Sequence, residues 1–134
     1  MSAASEAICA ALRADSQLAI LAPGGVYPNI APEGTSYPYV VVSAQSPPLD
    51  NYTFGGSAYQ SSVYLIKVVD ENLNPAPAED ARARVQAVLQ DGSLTISGQT
   101  LLMIRRRQQM PELAEVNSGF IYQVRGALYD VVVQ

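Results

Sequence analysis

Arg105, Arg106 and Arg107 form the densest charge in the chain. Adjacent guanidinium groups can grip phosphates or carboxylates through charge-assisted hydrogen bonds. On an extended strand Arg105 and Arg107 would point one way and Arg106 the other. Three uses compete: a solvated strand end, an ion-paired contact between subunits, and contact with DNA phosphates. Glu79, Asp80, Glu112 and Glu115 could supply the acid and base of a glycosidase-type pair. The start of a helix accounts better for Glu79 and Asp80, because its dipole favours negative charge there. Glu112 and Glu115 fall in a predicted loop, where water or an arginine satisfies them. Gly24-Gly25 and Gly55-Gly56 lack the spacing of phosphate-cradling loops, and Lys67, the only lysine, is far from both in sequence.

The missing residue types weigh as much as those present. There is no histidine, so the commonest general base and metal ligand is gone. Cys9 is the only cysteine, which rules out an internal disulfide or a thiolate zinc site. It lies beside an apolar helix face and is expected to be buried and inert. The expectation is a protein without catalytic residues, metal or cofactor. The net charge of −4 argues against a nucleic-acid clamp. The eight tyrosines, with no tryptophan, are a skewed aromatic set. Most of them read as packing residues with wet hydroxyls. Tyr52 and Phe54 differ, because a loop would expose them, and they are the best candidates for interface anchors.

The elements that must position these residues can be read along the chain. Its 134 residues make one domain, residues 1–134, long enough to bury about two-thirds of its surface. Hydrophobic residues make up 49% and charged residues only 15%. A soluble domain usually carries about 25% charge, so part of this exterior is expected to face partners. Met1 to Pro23 is interrupted by Glu6, Arg13 and Asp15 and lacks the layout of a signal peptide. No segment reaches the roughly 18 apolar residues of a membrane span. The expectation is synthesis in the cytosol and no membrane contact.

A helix is predicted to run to about Arg13, with Ile8, Ala11 and Leu12 on one face. Asp15-Ser16 starts a short second turn or two, and Pro23-Gly24-Gly25 ends it. Tyr27 to Ser36 reads as a loop, Tyr37 to Ala44 as a strand, and Ser46 to Ser57 as a loop. Ala58 to Asp70 is a long strand. Asn74-Pro75 opens a helix that Gly92 closes. Leu94 to Ile96 could form a short strand. Thr100 to Gln108 is a strand, Gln109 to Ser118 a loop, and Phe120 to Val133 a long last strand. The predicted fold is therefore α+β: two helices on a curved antiparallel sheet of about four strands. Strands this long exceed the usual five or six residues and suit continuation into a neighbouring subunit.

Gly25-Val26-Tyr27-Pro28, Ala31-Pro32-Glu33-Gly34 and Tyr37-Pro38-Tyr39-Val40-Val41 follow the first helix in order. The helix Ala81 to Leu89, the loop with Glu112 and Glu115, and the strand Phe120 to Tyr129 complete the pattern. Across nearly its whole length the chain resembles the tail terminator, or tail-completion, proteins of long-tailed bacteriophages and prophages. The resemblance implies a structural virion protein: a homo-hexameric ring that caps the tail tube and offers a surface to the head connector. DNA would pass through the lumen without specific binding, and the arginine triplet would sit mostly at subunit contacts. Two alternatives stay open, a neck component beside the connector and a small ligand-binding α+β domain.

Overall fold

The computed structural model describes residues 3–53, 56–90 and 92–134. Three helices, α1 (Ala3–Ala14), α2 (Ser16–Leu21) and α3 (Ala76–Leu89), pack on one side of a single mixed sheet. The seven strands are β1 (Val26–Pro28), β2 (Tyr39–Ala44), β3 (Leu49–Thr53), β4 (Gly56–Glu71), β5 (Leu101–Gln109), β6 (Leu113–Asn117) and β7 (Phe120–Val133). The expected four-stranded antiparallel sheet with two helices is therefore corrected. There are three more strands and one more helix among the described residues, and β1 pairs parallel to β2.

The physical reason lies in the two long strands. β4 has 16 residues and β7 has 14, and they pair antiparallel from Gln60–Val133 to Glu71–Tyr122. Strands this long expose backbone donors and acceptors along their outer edges, and those groups need partners. β2 covers one half of the outer edge of β4 and β3 covers the other half. Between them the Gln45 amide donates to the Val63 carbonyl at 2.8 Å, so the lane continues through the break. β5 and β6 share the outer edge of β7 in the same way, bridged by the Met110 amide donating to Gly126. Seven strands thus occupy five lanes. The stretches expected to be loops, 27–36, 46–57 and 109–118, hold β1, β3 and β6. Leu94 to Ile96 forms no strand; Ile96 makes an isolated bridge to Gln99.

The helices form for the reasons the sequence suggests. Ala4, Ala7, Ile8 and Leu12 make the buried stripe of α1. Small side chains let α1 approach β1 and β2 closely. The Asp15 carboxylate caps α2 by accepting the Leu18 amide at 2.9 Å. It also holds Arg84 of α3 through two bonds of 2.7 and 2.8 Å, which ties the helices together. Asn74 accepts the Ala76 amide at the start of α3, and Ala78, Ala81, Val85 and Leu89 face the sheet. Gly24 lies where the chain crosses Ser36: a Cβ there would stand 1.9 Å from the Ser36 carbonyl oxygen, so no larger residue fits without backbone movement.

The core lies between helices and sheet. Alternate residues of each strand point into it: Val40 and Val42, then Tyr64, Ile66 and Val68, then Ala127, Tyr129 and Val131, with Ile104 on β5. Tyr64 and Tyr129 sit opposite each other in register and are almost fully buried. Burial of each large apolar side chain contributes about 1.5–3 kcal/mol, so this layer supplies most of the stabilisation.

Candidate assembly surface

The opposite side of the sheet has no helix or strand over it among the described residues. Period-two alternation puts Val63, Leu65 and Val69 of β4 and Val124, Leu128 and Val132 of β7 on this face. They are half-buried by their neighbours. Val41 of β2 lies among them and is buried. A two-layer fold with strands apolar on both faces leaves one of those faces for something outside the chain.

The two hairpins leave the sheet at opposite ends. At one end β3 and the start of β4 pair beyond the last residue of β7, since Gln60 already faces Val133. Leu49 and Tyr59 are exposed there. At the other end β6 and the start of β7 project past Glu71, closed by a two-residue turn. Ser118 and Gly119 both have positive φ, 53° and 82°, the mirror-image turn whose twist suits a tight hairpin. Every residue of β6 is exposed. Val116 at 75% and Phe120 at 53% are among the most exposed large apolar residues of the described chain. Beside this hairpin the Tyr37 ring lies 5.5 Å from Tyr39 and 6.0 Å from Tyr122. Burial, together with the neighbouring phenol of Tyr122, raises the pKa of Tyr37 and Tyr39 above the ordinary tyrosine value, so both stay neutral. Aromatic groups with an apolar body and a wet hydroxyl are enriched at protein interfaces.

Helix α3 braces the outer lane at two places. Arg106 of β5 points to the helix side: its guanidinium donates to Gln86 at 2.6 Å and to Gln109 at 3.1 Å, and its amide donates to the Gln90 side chain at 3.0 Å. Arg125 of β7 is almost wholly buried and donates to Glu79 of α3 at 2.8 Å. It also donates to the carbonyls of Leu113 and Val124, each at 3.0 Å, which fixes the root of the β6 hairpin. Glu79 holds Arg82 as well, at 3.2 Å. The three acceptors around Arg125 satisfy a buried cation, the condition for its being tolerated at all.

The residues singled out from the sequence therefore separate. The arginine triplet splits as its alternation predicts. Arg106 is an internal brace, whereas Arg105 and Arg107 lie on the helix-free side. Arg107 is 55% exposed and meets Asp130 at 3.0 Å. Glu112 is exposed, 3.9 Å from Arg125, and Glu115 stands on β6 opposite Tyr122. Tyr52 belongs to β3, where its backbone pairs with Ser57; its side chain and the whole of Phe54 lie outside the described residues. Glu79 is in the first turn of α3 as expected, with two arginines as partners. Sequence reasoning missed the β6 hairpin residues Leu113, Val116 and Phe120 and the joining of Tyr37 to Tyr122. The signal for the second group was present, since Phe120, Tyr122 and Val124 share one face of the last strand.

Among the described residues no three histidine, cysteine, aspartate or glutamate side chains could hold a metal ion. Two surface hollows among the described residues measure about 340 and 280 Å³. The first is lined by serine, glutamine, alanine and one buried tyrosine; the second has only the Arg107–Asp130 pair as charge. Cys9 is buried, and burial raises its thiol pKa, as an inert core cysteine requires. Asp70 is buried with Oδ2 unpartnered, and burial raises its pKa.

Three comparisons relate the chain to known proteins. A chain in a virion of a native gene transfer agent particle superposes with a TM-score of 0.72 at 23% identity, covering 97% of this chain and 94% of that one. A second solved protein gives a TM-score of 0.51 at 15% identity, covering 98% and 96%. At these identities both matches establish the fold alone. A search of curated proteins returns no match. Residues 6–110 match the family described as tail completion protein gp17, and that span takes in α1 from its fourth residue, α2, α3 and the strands β1 to β5. The chain belongs to the tail completion protein gp17 family, and its coarse role is structural, in a phage-type tail.

Proposed function

We propose that the chain closes into a six-membered ring on the last ring of tail-tube protein. There it stops polymerisation and turns a different face to the head connector or neck protein. The family assignment over residues 6–110 is the observation that carries this reading. The fold supports it by offering surfaces of the right kind. A tube grows because each ring shows the next an identical heterologous face. A terminator must match that face on one side and differ on the other. The helix-free sheet face and two hairpins at opposite ends give one chain several unlike contacts. Tyr52 and Phe54, in and beside the β3 hairpin strand, serve as anchors to a neighbour or to the tube. The similar chain comes from a virion particle, which supports a virion location for this one; within the proposal the chain is made in the host cytoplasm and sits at the head-proximal end of the tail. DNA passes through the lumen unbound, and a net charge of −4 suits passage without tight phosphate contact. No catalysis or cofactor enters this role.

The test is to add the purified chain to polymerising tail-tube protein and measure tube length by electron microscopy. Tubes should stop at the length present when the chain is added, and Tyr52→Ala with Phe54→Ala should restore growth. Unchanged growth with the wild-type chain would overturn the reading.

A further inference from the structure

The outermost lane of the sheet, β5 followed by β6, is basic at one end and acidic at the other. Arg105 sits opposite Asp130 and Glu115 sits opposite Tyr122 on the same neighbour strand, with both residues on the helix-free side. Eight residues of β7 separate these positions, about 27 Å at the usual rise of an extended strand. That is about three times the screening length at physiological salt, roughly 8 Å, so the two ends do not neutralise each other within one chain. Asp130 of β7 already pairs with Arg107 of this lane.

The lane is also a sheet edge, yet it is a poor template for strand addition. β5 has two register shifts, at Leu101/Met103 and Arg106/Gln108. Its Arg106 amide is occupied by the Gln90 side chain. Irregularities of this kind block a continuous backbone ladder with a partner. The exposed side chains of the lane are Arg105 and Arg107 at one end, and Glu112 and Glu115 with Leu113, Val116 and Phe120 at the other.

We propose that this lane is the contact between successive copies of the chain. The acidic, apolar β6 hairpin of one copy docks on the Arg105–Arg107 end of the next. Charge complementarity between opposite ends of one surface selects a second copy as the occupant. Because the hairpin and the arginine end are different patches, the contact is heterologous and repeats in one direction, as a ring requires. The assignment rests on the ring reading and names the surface that closes it. The contact brings the aromatic Phe120 of one copy to the arginines of the next, and aromatic and arginine side chains are enriched at interface centres.

Complementary charge variants test it. One carries Arg105→Glu and Arg107→Glu. The other carries Glu112→Gln and Glu115→Arg; glutamine at 112 avoids setting a new cation 3.9 Å from Arg125. Each is checked for wild-type circular dichroism and then assayed by light scattering, free and with tail-tube protein. Each variant alone should need at least tenfold more protein to assemble. Their equimolar mixture should recover the wild-type ring mass, since each arginine end then meets a carboxylate and each carboxylate end an arginine. Wild-type assembly should weaken as salt rises from 50 to 500 mM, which tests the same point without substitution. Assembly of either variant alone at wild-type concentration, a mixture stopping at dimers, or salt-independent assembly would overturn this contact and leave the ring reading standing. A wild-type chain that is monomeric both free and with tube protein would overturn the ring reading, and the contact with it.

Discussion

Arg125 and Arg107 are both paired with carboxylates at about the same distance, 2.8 and 3.0 Å, yet their replacement should differ severalfold in effect. The difference is burial. Arg125 has a side chain 6% exposed and satisfies Glu79 and two backbone carbonyls. In Arg125→Met the Leu113 carbonyl loses its partner and Glu79 loses one of two cations. Removing one member of a buried pair typically costs about 3–5 kcal/mol. Glu79 is 31% exposed and keeps Arg82, so the lower end applies, about 3 kcal/mol. For a domain of this size that corresponds to a fall in Tm of about 10 °C. Arg107 is 55% exposed, and an exposed pair contributes at most about 1 kcal/mol, so Arg107→Ala should lower Tm by about 3 °C or less. Thermal unfolding followed by circular dichroism measures both. Hydrogen exchange adds a local readout: in Arg125→Met the amides of β6 should exchange faster than those of β2. Equal melting shifts for the two variants would refute the brace between α3 and the hairpin root.

Two further predictions concern pH. Burial raises the pKa of Asp70 above its unfolded value, so the ionised form destabilises the fold at neutral pH and the penalty fades as pH falls through the folded value. Asp70→Asn should therefore be more stable than wild type at pH 7, with the gap closing in denaturant titrations as pH falls through the folded value; a less stable variant at pH 7 would contradict the unpartnered Oδ2. Asp15 behaves oppositely. Its hydrogen bonds from Arg84 hold its pKa below the usual carboxylate value, so its contribution is present above about pH 4 and is lost as pH falls through the folded value. Asp15→Asn should melt below wild type at pH 7 and converge with it in acid, once pH has fallen through the folded value; a gap that does not narrow in acid would show that the cap, not the charge, matters.

The legible parts of this fold are those with a buried stripe. Ala78, Ala81, Val85 and Leu89 marked α3 because their spacing follows the helix period, and β7 alternated cleanly from Phe120 to Val133. β3 and β6 were not legible for the same reason reversed. Leu113-Ala-Glu-Val-Asn buries nothing, so it has no periodicity to read, and backbone pairing with an overhanging long strand holds it in place. Strand length was the available clue, because 16 and 14 residues of β4 and β7 need partners along both edges. Ser118-Gly119 was a second clue, a turn dipeptide between two apolar runs. Among candidate site residues, alternation separated Arg106 from Arg105 and Arg107 correctly. It could not show that Gln86 and Gln90 take up Arg106, since that depends on how α3 lies across β5.

The most direct measurement for the central claim is a count of copies at the end of a capped tube. Tail-tube protein is polymerised with the purified chain, and the mass at the tube end is determined by scanning transmission electron microscopy. The account predicts six copies of the 14.3 kDa chain and no growth beyond them. Tubes that keep growing, with the chain remaining monomeric in solution, would contradict it.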